Sequence, residues 1–424
     1  MKHQEFMLNT LVNNMNTETI HTKVCIIGAG PSGAATSIFL SKEKVAHIII
    51  DAAQYPRDKV CGDGLDLKAI TMLNHIDTSI LENELKPSGK IQACWGFRLI
   101  NPKGKYTEFV FKPSVGDENK PPYGVSKRFS LDNILVEKFD SAFANFLQGT
   151  KAVKVERVES KWHIMVQQQD KQITIISDLI VGADGDHSIV LKTVGERKIN
   201  REHYAGGVRQ YWQGVEGIHE KNLMEVYYPK AFPMSYFWIF PLGDGLANVG
   251  YGMLSSVAAK NNYNIREIFT ELIKTDSILQ ARFSNAKALD NISGWGLPLA
   301  TLRRKCSGNG WLLVGDAASM ISPTTGEGVG TGMQTGFIAA KFIKKAIEIN
   351  KFDDTAFKNY DREVYKRMED DIKLFNLSMW VSPKMMGWVM NNIVPFNYFK
   401  RLFQTKVGQW LNTAYHKEIK VTLD

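Results

Sequence analysis

A glycine-rich segment near the start of the chain constrains the fold most strongly. Gly28, Gly30 and Gly33 fit the pattern G-x-G-x-x-G, directly after a run of β-branched and apolar residues. A helix-like stretch follows the glycines, and a second apolar run occupies residues 45–50. This order predicts a strand, a helix and a second strand, and the two strands should be parallel.

The glycines and the residue that ends the second strand together predict a dinucleotide site. Gly28 permits a tight turn, Gly30 lets the backbone approach a pyrophosphate, and Gly33 lets the helix pack closely on the strand. The helix N-terminus offers free N–H groups and a partial positive charge to the phosphates. Asp51 can accept hydrogen bonds from both ribose hydroxyls, while its charge would repel a 2′-phosphate. The pattern therefore favours NAD or FAD over NADP.

Length and composition are those of a globular protein with a large core. The chain has 424 residues, which suggests two or three packed units. No run reaches the roughly 18 to 20 apolar residues of a membrane-spanning helix. Residues 1–21 lack the apolar core of a secretory signal, so we expect them to form a flexible extension. The net charge of +8 weakly favours anionic partners.

The four cysteines and the remaining motifs narrow the class of protein further. No two cysteines share a zinc-like spacing, so we predict neither a metal site nor a disulfide scaffold. A reducing cytoplasm is then the expected location. The sequence has no nucleic-acid-binding motif, and no nucleic-acid partner is expected.

Local patterns predict the remaining elements. Residues 128–147 are typical of a helix, and residues 173–184 of a strand that leaves a hairpin. From about 205 to 300, aromatic and polar residues alternate, as in antiparallel strands with one buried face. Residues 311–316 predict another buried parallel strand, and a long helix should begin near Gly326.

These patterns predict an α/β fold in which the dinucleotide-binding domain is discontinuous. An antiparallel-sheet substrate domain is inserted into it, and a helical segment ends the chain. The predicted divisions are the extension 1–21, the dinucleotide-binding domain 22–204 and 300–350, the substrate domain 205–299 with a contribution from about 90–125, and the helical segment 351–424.

Two further glycine–aspartate signals lie far downstream. Residues 182–188 read GADGDHS at the end of a strand, and Gly315-Asp316 precedes PTTGEGVG at 323–330. With the N-terminal glycines, these segments resemble the para-hydroxybenzoate-hydroxylase-like flavoprotein superfamily. The resemblance implies a Rossmann-like domain of the GR2 type with FAD bound in an extended form. It also implies that Asp316 accepts hydrogen bonds from the ribityl chain, a role that an aspartate at a strand end can fill.

Two other segments resemble the geranylgeranyl reductase family within that superfamily. RDKVCGDGL at 57–65 is similar to the family segment K-x-C-G-x-G-L, and YFWIFP at 236–241 matches Y-x-W-x-F-P. The resemblance covers about residues 22–350. The chain departs from the superfamily pattern Ser-x-x-Arg, because Leu191 stands where an arginine would follow Ser188.

Carried over residue by residue, the resemblance implies a set of cofactor contacts. Arg128 matches the family arginine near the pyrophosphate and ribityl chain, where a guanidinium can meet phosphate oxygens bidentately. Small residues at Gly328, Gly330 and Gly332 would let the flavin ring lie close to the backbone. The residues expected to bind FAD are Gly28, Gly30, Ser32, Gly33, Asp51, Ala52, Arg57, Gly62, Asp63, Leu65, Arg128, Asp184, Asp316, Gly326, Gly328 and Val329.

The same resemblance implies reduction of carbon–carbon double bonds in an isoprenoid or other lipid-like substrate. Reduced flavin would deliver hydride from N5, and a proton would follow. Tyr236, Trp238 and Phe240 are the expected substrate contacts, with a plain core role as the alternative. Cys61 is the candidate catalytic residue, in protonation or in positioning the alkene, and an inert buried thiol is the alternative.

Other function classes share parts of this pattern. An FAD-dependent aromatic monooxygenase would carry the same three glycine signals. A flavin halogenase would carry W-x-W-x-I-P, from which Tyr236 and Phe240 depart. A flavin-bound module without catalysis is a third possibility. The Cys61 segment and the Tyr-x-Trp-x-Phe-Pro match favour the reductase.

The sequence also leads to expectations about the electron donor and about the C-terminal segment. It has no second nucleotide fingerprint, so the electron donor, NAD(P)H or a carrier such as ferredoxin, is expected to bind transiently. Residues 371–424 are rich in large apolar and basic side chains. They predict either peripheral contact with an anionic membrane or a helical cap over the substrate cavity.

Overall fold

The computed structural model describes residues 18–85, 89–111, 121–197, 199–232, 234–380 and 420–423, with the single positions 385, 388 and 392. Most of the predicted extension 1–21, and most of the C-terminal segment beyond 380, lie outside the described residues.

The elements run as follows in chain order. The strands are β1 (Glu18–Ile27), β2 (His47–Ile50), β3 (Gly64–Leu65), β4 (Gln92–Cys94), β5 (Gly96–Ile100), β6 (Tyr106–Val110), β7 (Tyr123–Val125), β8 (Ala144–Leu147), β9 (Thr150–Val158), β10 (Lys161–Gln168), β11 (Lys171–Gly182), β12 (Tyr204–Gln213), β13 (Met224–Tyr227), β14 (Ser235–Gly243), β15 (Leu246–Leu254), β16 (Lys287–Ala288), β17 (Ser293–Pro298), β18 (Ser307–Gly308) and β19 (Trp311–Leu313). The α-helices are α1 (Pro31–Lys42), α2 (Leu67–Ile76), α3 (Thr78–Glu84), α4 (Arg128–Val136), α5 (Ile189–Thr193), α6 (Ser255–Lys260), α7 (Ile265–Thr275), α8 (Ser277–Phe283), α9 (Val329–Glu348), α10 (Tyr360–Lys366) and α11 (Glu369–Trp380).

One of the two large sheets is largely parallel. Its order is β18–β19–β11–β1–β2–β8, and β1 is parallel to both β2 and β11. The last four residues of β1 and all of β2 are buried, as expected for a sheet covered on both faces. The predicted strand–helix–strand unit is therefore confirmed.

Two sequence-based boundaries were wrong. Residues 18–21, expected in the extension, belong to β1, because β11 continues past the core and offers backbone pairing from Ile173 onward. The helix predicted for 128–147 ends at Val136. Residues 144–147 instead form β8, since their backbone pairs in parallel with β2 along the edge of the sheet.

A second sheet is mainly antiparallel and covers the region from 204 to 298. Its order is β16–β12–β15–β14–β13–β5–β6, and β17 pairs with β12. The strands β5 and β6 come from the segment before residue 125, and β5 pairs with β13 in parallel. A third, small sheet has the order β3–β7–β4.

Close packing of α9 on α1 positions the glycine-rich turn. A Cβ added at Gly336 in α9 would lie 2.5 Å from the Ser32 carbonyl oxygen and 2.9 Å from the Thr36 nitrogen. Only glycine allows the two helices to approach this closely. The first turn of α1 and the loop before α9 therefore lie at the same edge of the parallel sheet.

Candidate cofactor and active site

A cavity of about 890 Å³ reaches from the β1–α1 turn to the antiparallel sheet. It brings together three distant stretches of the chain. The sequence-predicted residues that line it are Gly28, Gly30, Ser32, Asp51, Ala52, Arg57, Cys61, Gly62, Asp63, Arg128, Asp184, Tyr236, Trp238, Phe240, Asp316, Gly326, Gly328 and Val329.

Two predicted cofactor residues lie behind the cavity wall. A Cβ at Gly33 would overlap the Gly28 carbonyl oxygen and lie 3.0 Å from Ala183 Cβ, so Gly33 serves helix–strand packing. Leu65 is fully buried in the core. Both residues therefore shape the site without facing it.

The glycines of α9 differ from expectation in the same way. A Cβ at Gly330 would lie 2.5 Å from the Ala69 nitrogen, and one at Gly332 would lie 2.5 Å from Ser32 Oγ. These glycines let α9 pack on α2 and α1. Of the three glycines expected beside the flavin ring, Gly328 lines the cavity.

The β1–α1 turn has the geometry of a phosphate cradle. Gly28 has φ +102°, a conformation that favours glycine. Gly30 caps α1 and Pro31 has no N–H, so Ser32, which lines the cavity, carries the first N–H group of this twelve-residue helix. A Cβ at Gly30 would meet the terminal guanidinium nitrogens of Arg57 at 3.7 Å and Arg128 at 3.8 Å. Two cations and a helix N-terminus thus converge where a pyrophosphate would bind.

Asp132 holds this pair of arginines, and sequence reasoning missed it. Its carboxylate receives a bidentate contact from Arg128 at 2.6 and 2.7 Å and an ion pair from Arg57 at 2.6 Å. One carboxylate between two guanidinium groups leaves one net positive charge for an anionic ligand. The i,i+4 spacing of Arg128 and Asp132 on α4 was the available signal.

Asp51 is fixed at the end of β2 by backbone donors. Its carboxylate accepts hydrogen bonds from Ala29 N at 2.7 Å and Ala53 N at 2.8 Å, and from the Tyr55 hydroxyl at 3.2 Å. A carboxylate has about four acceptor positions, so one remains for a ribose hydroxyl. The sequence predicts contacts to both ribose hydroxyls, so the structure leaves room for one of the two, and the ribose contact of Asp51 stays a prediction.

Buried carboxylates supply the test of whether FAD fits this site. Among the described residues, no donor meets hydrogen-bond geometry at Asp184 Oδ1 or at Asp63 Oδ1. Burial raises the pKa of each to about 6. Asp316 also lines the cavity, and burial raises its pKa, opposed by Lys59. Hydroxyl and N–H donors on an extended FAD would satisfy these acceptors, so the residues present fit the cofactor.

Lys59 brings a further positive charge to the cavity. Its ammonium lies 3.1 Å from the centre of the Trp295 ring, a cation–π contact. Burial lowers its pKa to about 8, and Asp316 opposes that shift. The family-like segment 57–65 therefore contributes two cations to the site, Arg57 and Lys59.

Cys61 is the one half-buried cysteine of the four, and it lines the cavity. Burial raises the pKa of its thiol, although the Arg128 guanidinium opposes that rise. The thiol therefore holds its proton near neutral pH. Cys25, Cys94 and Cys306 are fully buried.

The predicted substrate aromatics form one face of β14. Tyr236 and Trp238 have ring centres 5.8 Å apart, and Trp238 and Phe240 have ring centres 6.2 Å apart. They share a face because side chains alternate along a strand. Gly250 on the neighbouring strand leaves space for the indole, since a Cβ there would overlap Trp238.

Glu327 is a second titratable group that the sequence reasoning left unused. It lines the cavity between Gly326 and Gly328, at the start of α9. Burial and the nearby Asp66 carboxylate raise its pKa well above the usual value, opposed by Lys68. A glutamate between two flavin-site glycines was the available signal.

Comparison with known proteins agrees with this geometry. A menaquinone reductase of Mycobacterium tuberculosis is 28% identical over 328 residues, which is 76% of each chain. A digeranylgeranylglycerophospholipid reductase of Methanocaldococcus jannaschii is 28% identical over 343 residues, 80% of this chain and 81% of its own.

Solved structures share the fold. A geranylgeranyl bacteriochlorophyll reductase-like protein from Thermoplasma acidophilum superposes with a TM-score of 0.72 at 20% identity, covering 96% of this chain and 94% of its own. A flavin-dependent brominase gives a TM-score of 0.72 at 18% identity, covering 93% and 100%.

The parallel sheet, the phosphate cradle and the buried acceptors define an FAD-dependent oxidoreductase. A family model described as FAD binding domain matches residues 21–370. The chain belongs to that family, and its reductase-like sequence features agree with the two curated relatives.

Proposed function

We propose that this oxidoreductase saturates carbon–carbon double bonds of an isoprenoid or another lipid-like substrate. FAD, once bound and reduced, supplies the hydride for such a reduction. The chain's own residues hold the dinucleotide, orient the substrate, exclude water and provide a proton.

One observation carries the proposal: the part of the cavity beside the antiparallel sheet, here called the substrate arm, is apolar and aromatic. Its wall on β5, β13 and β14 includes Phe97, Leu99, Met224, Val226, Tyr236, Trp238 and Phe240, and Tyr228 directly after β13 extends it. Each methylene buried against such a wall is worth about 0.8 kcal/mol. An isoprenoid chain would therefore bind here through many small contributions and leave little room for water.

The curated relatives support the same substrate class. Menaquinone and digeranylgeranylglycerophospholipids both carry isoprenoid chains. The two relatives named after them match 76% and 80% of this chain.

Two side chains at the cavity can supply the proton that must accompany the hydride. Cys61 carries it on Sγ, and Glu327 carries it on its carboxyl group. Burial favours the protonated form of both at neutral pH. Saturation of one double bond adds the hydride to one carbon and this proton to its neighbour, and solvent then restores the acid.

Anaerobic turnover tests the proposal. Reduced holoprotein is incubated separately with menaquinone, a digeranylgeranyl phospholipid and geranylgeranyl diphosphate, and the products are read by mass spectrometry. The proposal predicts a gain of two mass units per saturated bond with at least one lipid. No gain with any lipid, from protein whose flavin is fully reducible, would refute it.

A parallel aerobic incubation, in which oxygen uptake is recorded, separates the oxygen-using alternatives. An aromatic monooxygenase or halogenase would consume oxygen in a substrate-dependent way and leave alkenes intact. Similarity to the brominase concerns the fold, which both classes share.

We also propose peripheral membrane contact through residues 371–424, from the cytoplasmic face, with electrons delivered by NAD(P)H or a carrier such as ferredoxin. None of the described helices is long and apolar enough to cross a bilayer. On α11, Leu374 and Leu377 are 58% and 65% exposed, and Leu374 lines the cavity. Exposed apolar side chains at the mouth of a lipid-binding cavity support contact with a lipid surface.

Sedimentation with phosphatidylglycerol vesicles tests the membrane contact. Wild-type protein should sediment with the vesicles at low salt, and the double variant Leu374→Ser, Leu377→Ser should sediment several-fold less. Ile199→Ser is the matched control, because Ile199 is 63% exposed on another part of the surface. Wild-type protein that stays in the supernatant at low and moderate salt would contradict the contact.

A further inference from the structure

A buried hydrogen-bond network joins the Cys61 turn (residues 61–64) to the antiparallel sheet. Asn248, on β15, donates through Nδ2 to the Cys61 carbonyl oxygen and to Asp63 Oδ2, each at 2.9 Å. Its Oδ1 accepts from Trp238 Nε1 at 2.9 Å. The Tyr211 hydroxyl donates to Asp63 Oδ2 at 2.7 Å. One amide side chain thus links the two segments that carry the reductase resemblance.

The turn depends on restraints from outside itself. Asp63 has φ +62°, a left-handed conformation that is unfavourable for a residue with a side chain. Asn248 and Asp63 are 0% and 1% exposed, so water does not replace a lost partner. Ser126, in the loop directly after β7, also donates its backbone N–H to the Asp63 carbonyl oxygen at 3.0 Å. The turn keeps its shape because the sheet and this neighbouring loop hold it.

The network determines what the turn presents to the cavity. Cys61 lines the cavity beside the Arg128 guanidinium, and Asp63 lines it as well, with a buried Oδ1 that has no hydrogen-bond partner among the described residues. Both groups move if the backbone of the turn moves. The Asn248 side chain does not line the cavity and does not bond the Cys61 thiol, so any effect it has must pass through the turn or through Trp238.

We propose that Asn248 is a positioning residue, which fixes the Cys61 turn so that the thiol and the Asp63 carboxyl face the bound flavin and substrate. The catalytic part of this inference rests on the proposed reductase function. The conformational part does not, because the reactivity of the Cys61 thiol reports on the turn directly.

Alkylation of Cys61 by iodoacetamide is the direct readout. The other three cysteines are fully buried in the folded chain, so Cys61 dominates the rate, and a Cys61→Ser variant gives the background. In full-length holoprotein, Asn248→Leu removes both donors to the turn and the acceptor of Trp238. We expect its Cys61 to react about tenfold faster or more, since two buried hydrogen bonds no longer oppose opening. We also expect kcat to fall about tenfold, with KM within about twofold.

Two further variants separate positioning from general loss of stability. Asn248→Asp keeps the size of the side chain and the acceptor for Trp238. Beside the buried Asp63 carboxyl its own carboxyl holds a proton, so it keeps at most one donor to the turn, and it serves if Asn248→Leu does not fold. Asn101→Leu is the matched control: Asn101 is buried at the start of the turn that joins β5 to β6 of the same sheet, and it accepts from Lys103 N and Lys105 N. It should lower the melting temperature while Cys61 reacts at the wild-type rate.

Wild-type alkylation rates in both Asn248 variants would overturn the proposal. Faster alkylation in Asn101→Leu, equal to that of the Asn248 variants, would also overturn it, because the effect would then be global. Faster alkylation in the Asn248 variants alone, from a protein that reduces no isoprenoid, would leave the positioning role intact and reject the reductase function.

Discussion

Replacing Gly30 by alanine should separate cofactor binding from folding. Gly30 has φ −63° and ψ 179°, which any residue can adopt. A Cβ there would meet the guanidinium nitrogens of Arg57 and Arg128 at 3.7 and 3.8 Å, an ordinary contact distance. Alanine at such a position stabilises proteins by about 0.4–1 kcal/mol, because it restricts the unfolded chain. The apoprotein should therefore unfold at the wild-type temperature or slightly above it.

The same methyl group should weaken FAD binding strongly. It would occupy the space between the first N–H groups of α1 and the two arginines, where the pyrophosphate approaches the backbone. A lost hydrogen bond to a charged group costs about 1.5–3 kcal/mol. At about 1.4 kcal/mol per factor of ten, one such loss raises Kd roughly 10- to 150-fold.

Apoprotein titrated with FAD, followed by quenching of flavin fluorescence, measures this effect, and circular dichroism follows unfolding. Gly33→Ala is the matched control, since its Cβ would overlap the Gly28 carbonyl oxygen. That variant should lose about 1–3 kcal/mol of stability, so any weaker FAD binding should come with a lower unfolding temperature of the apoprotein. A stable Gly30→Ala protein that binds FAD as tightly as wild type would refute the placement of the pyrophosphate.

Three other predictions follow from the site. Asp63→Asn should stabilise the apoprotein above pH 6 by up to about 3 kcal/mol, because burial raises the pKa of Asp63 from 3.8 to about 6 and makes its charge costly. In urea unfolding, this gain in the free energy of unfolding should shrink as the pH falls from about 6 to 4. A gain that does not depend on pH would contradict the raised pKa of Asp63. Gly250→Ala should displace the Trp238 indole, visible as altered tryptophan fluorescence and a several-fold rise in KM for the lipid; unchanged values would place the indole elsewhere. Glu327→Gln keeps the shape of the side chain but removes its acidic proton. If Glu327 is the acid, kcat of this variant should fall at least about tenfold. If the Cys61 thiol is the acid, Cys61→Ser should show that loss instead.

Short-range patterns predicted the parts of the fold that local forces determine. The glycine-rich turn, the flanking strands and Asp51 follow from spacing alone, because close backbone approach and a strand end fix these residue types. The face shared by Tyr236, Trp238 and Phe240 follows from the two-residue period of a strand. Each of these features depends on residues near one another in the chain.

Features that depend on contacts between residues far apart in the chain could not be predicted from the sequence. Asn248 meets Asp63 across 185 positions of sequence, and no local pattern marks that contact. Gly332 was assigned to the flavin ring because glycine permits close approach, but the neighbour that approaches is Ser32 of α1. Residues 144–147 were read as the end of a helix, and pairing with β2 overrides that local preference.

A structure determined with FAD bound would show whether three distant parts of the chain hold one dinucleotide. We expect one FAD per chain, with its ribose beside Asp51, its pyrophosphate at Gly30 and its ring between the Cys61 turn and Gly328. FAD bound in another place, or a pure protein that takes up no FAD at saturating concentration, would contradict this expectation.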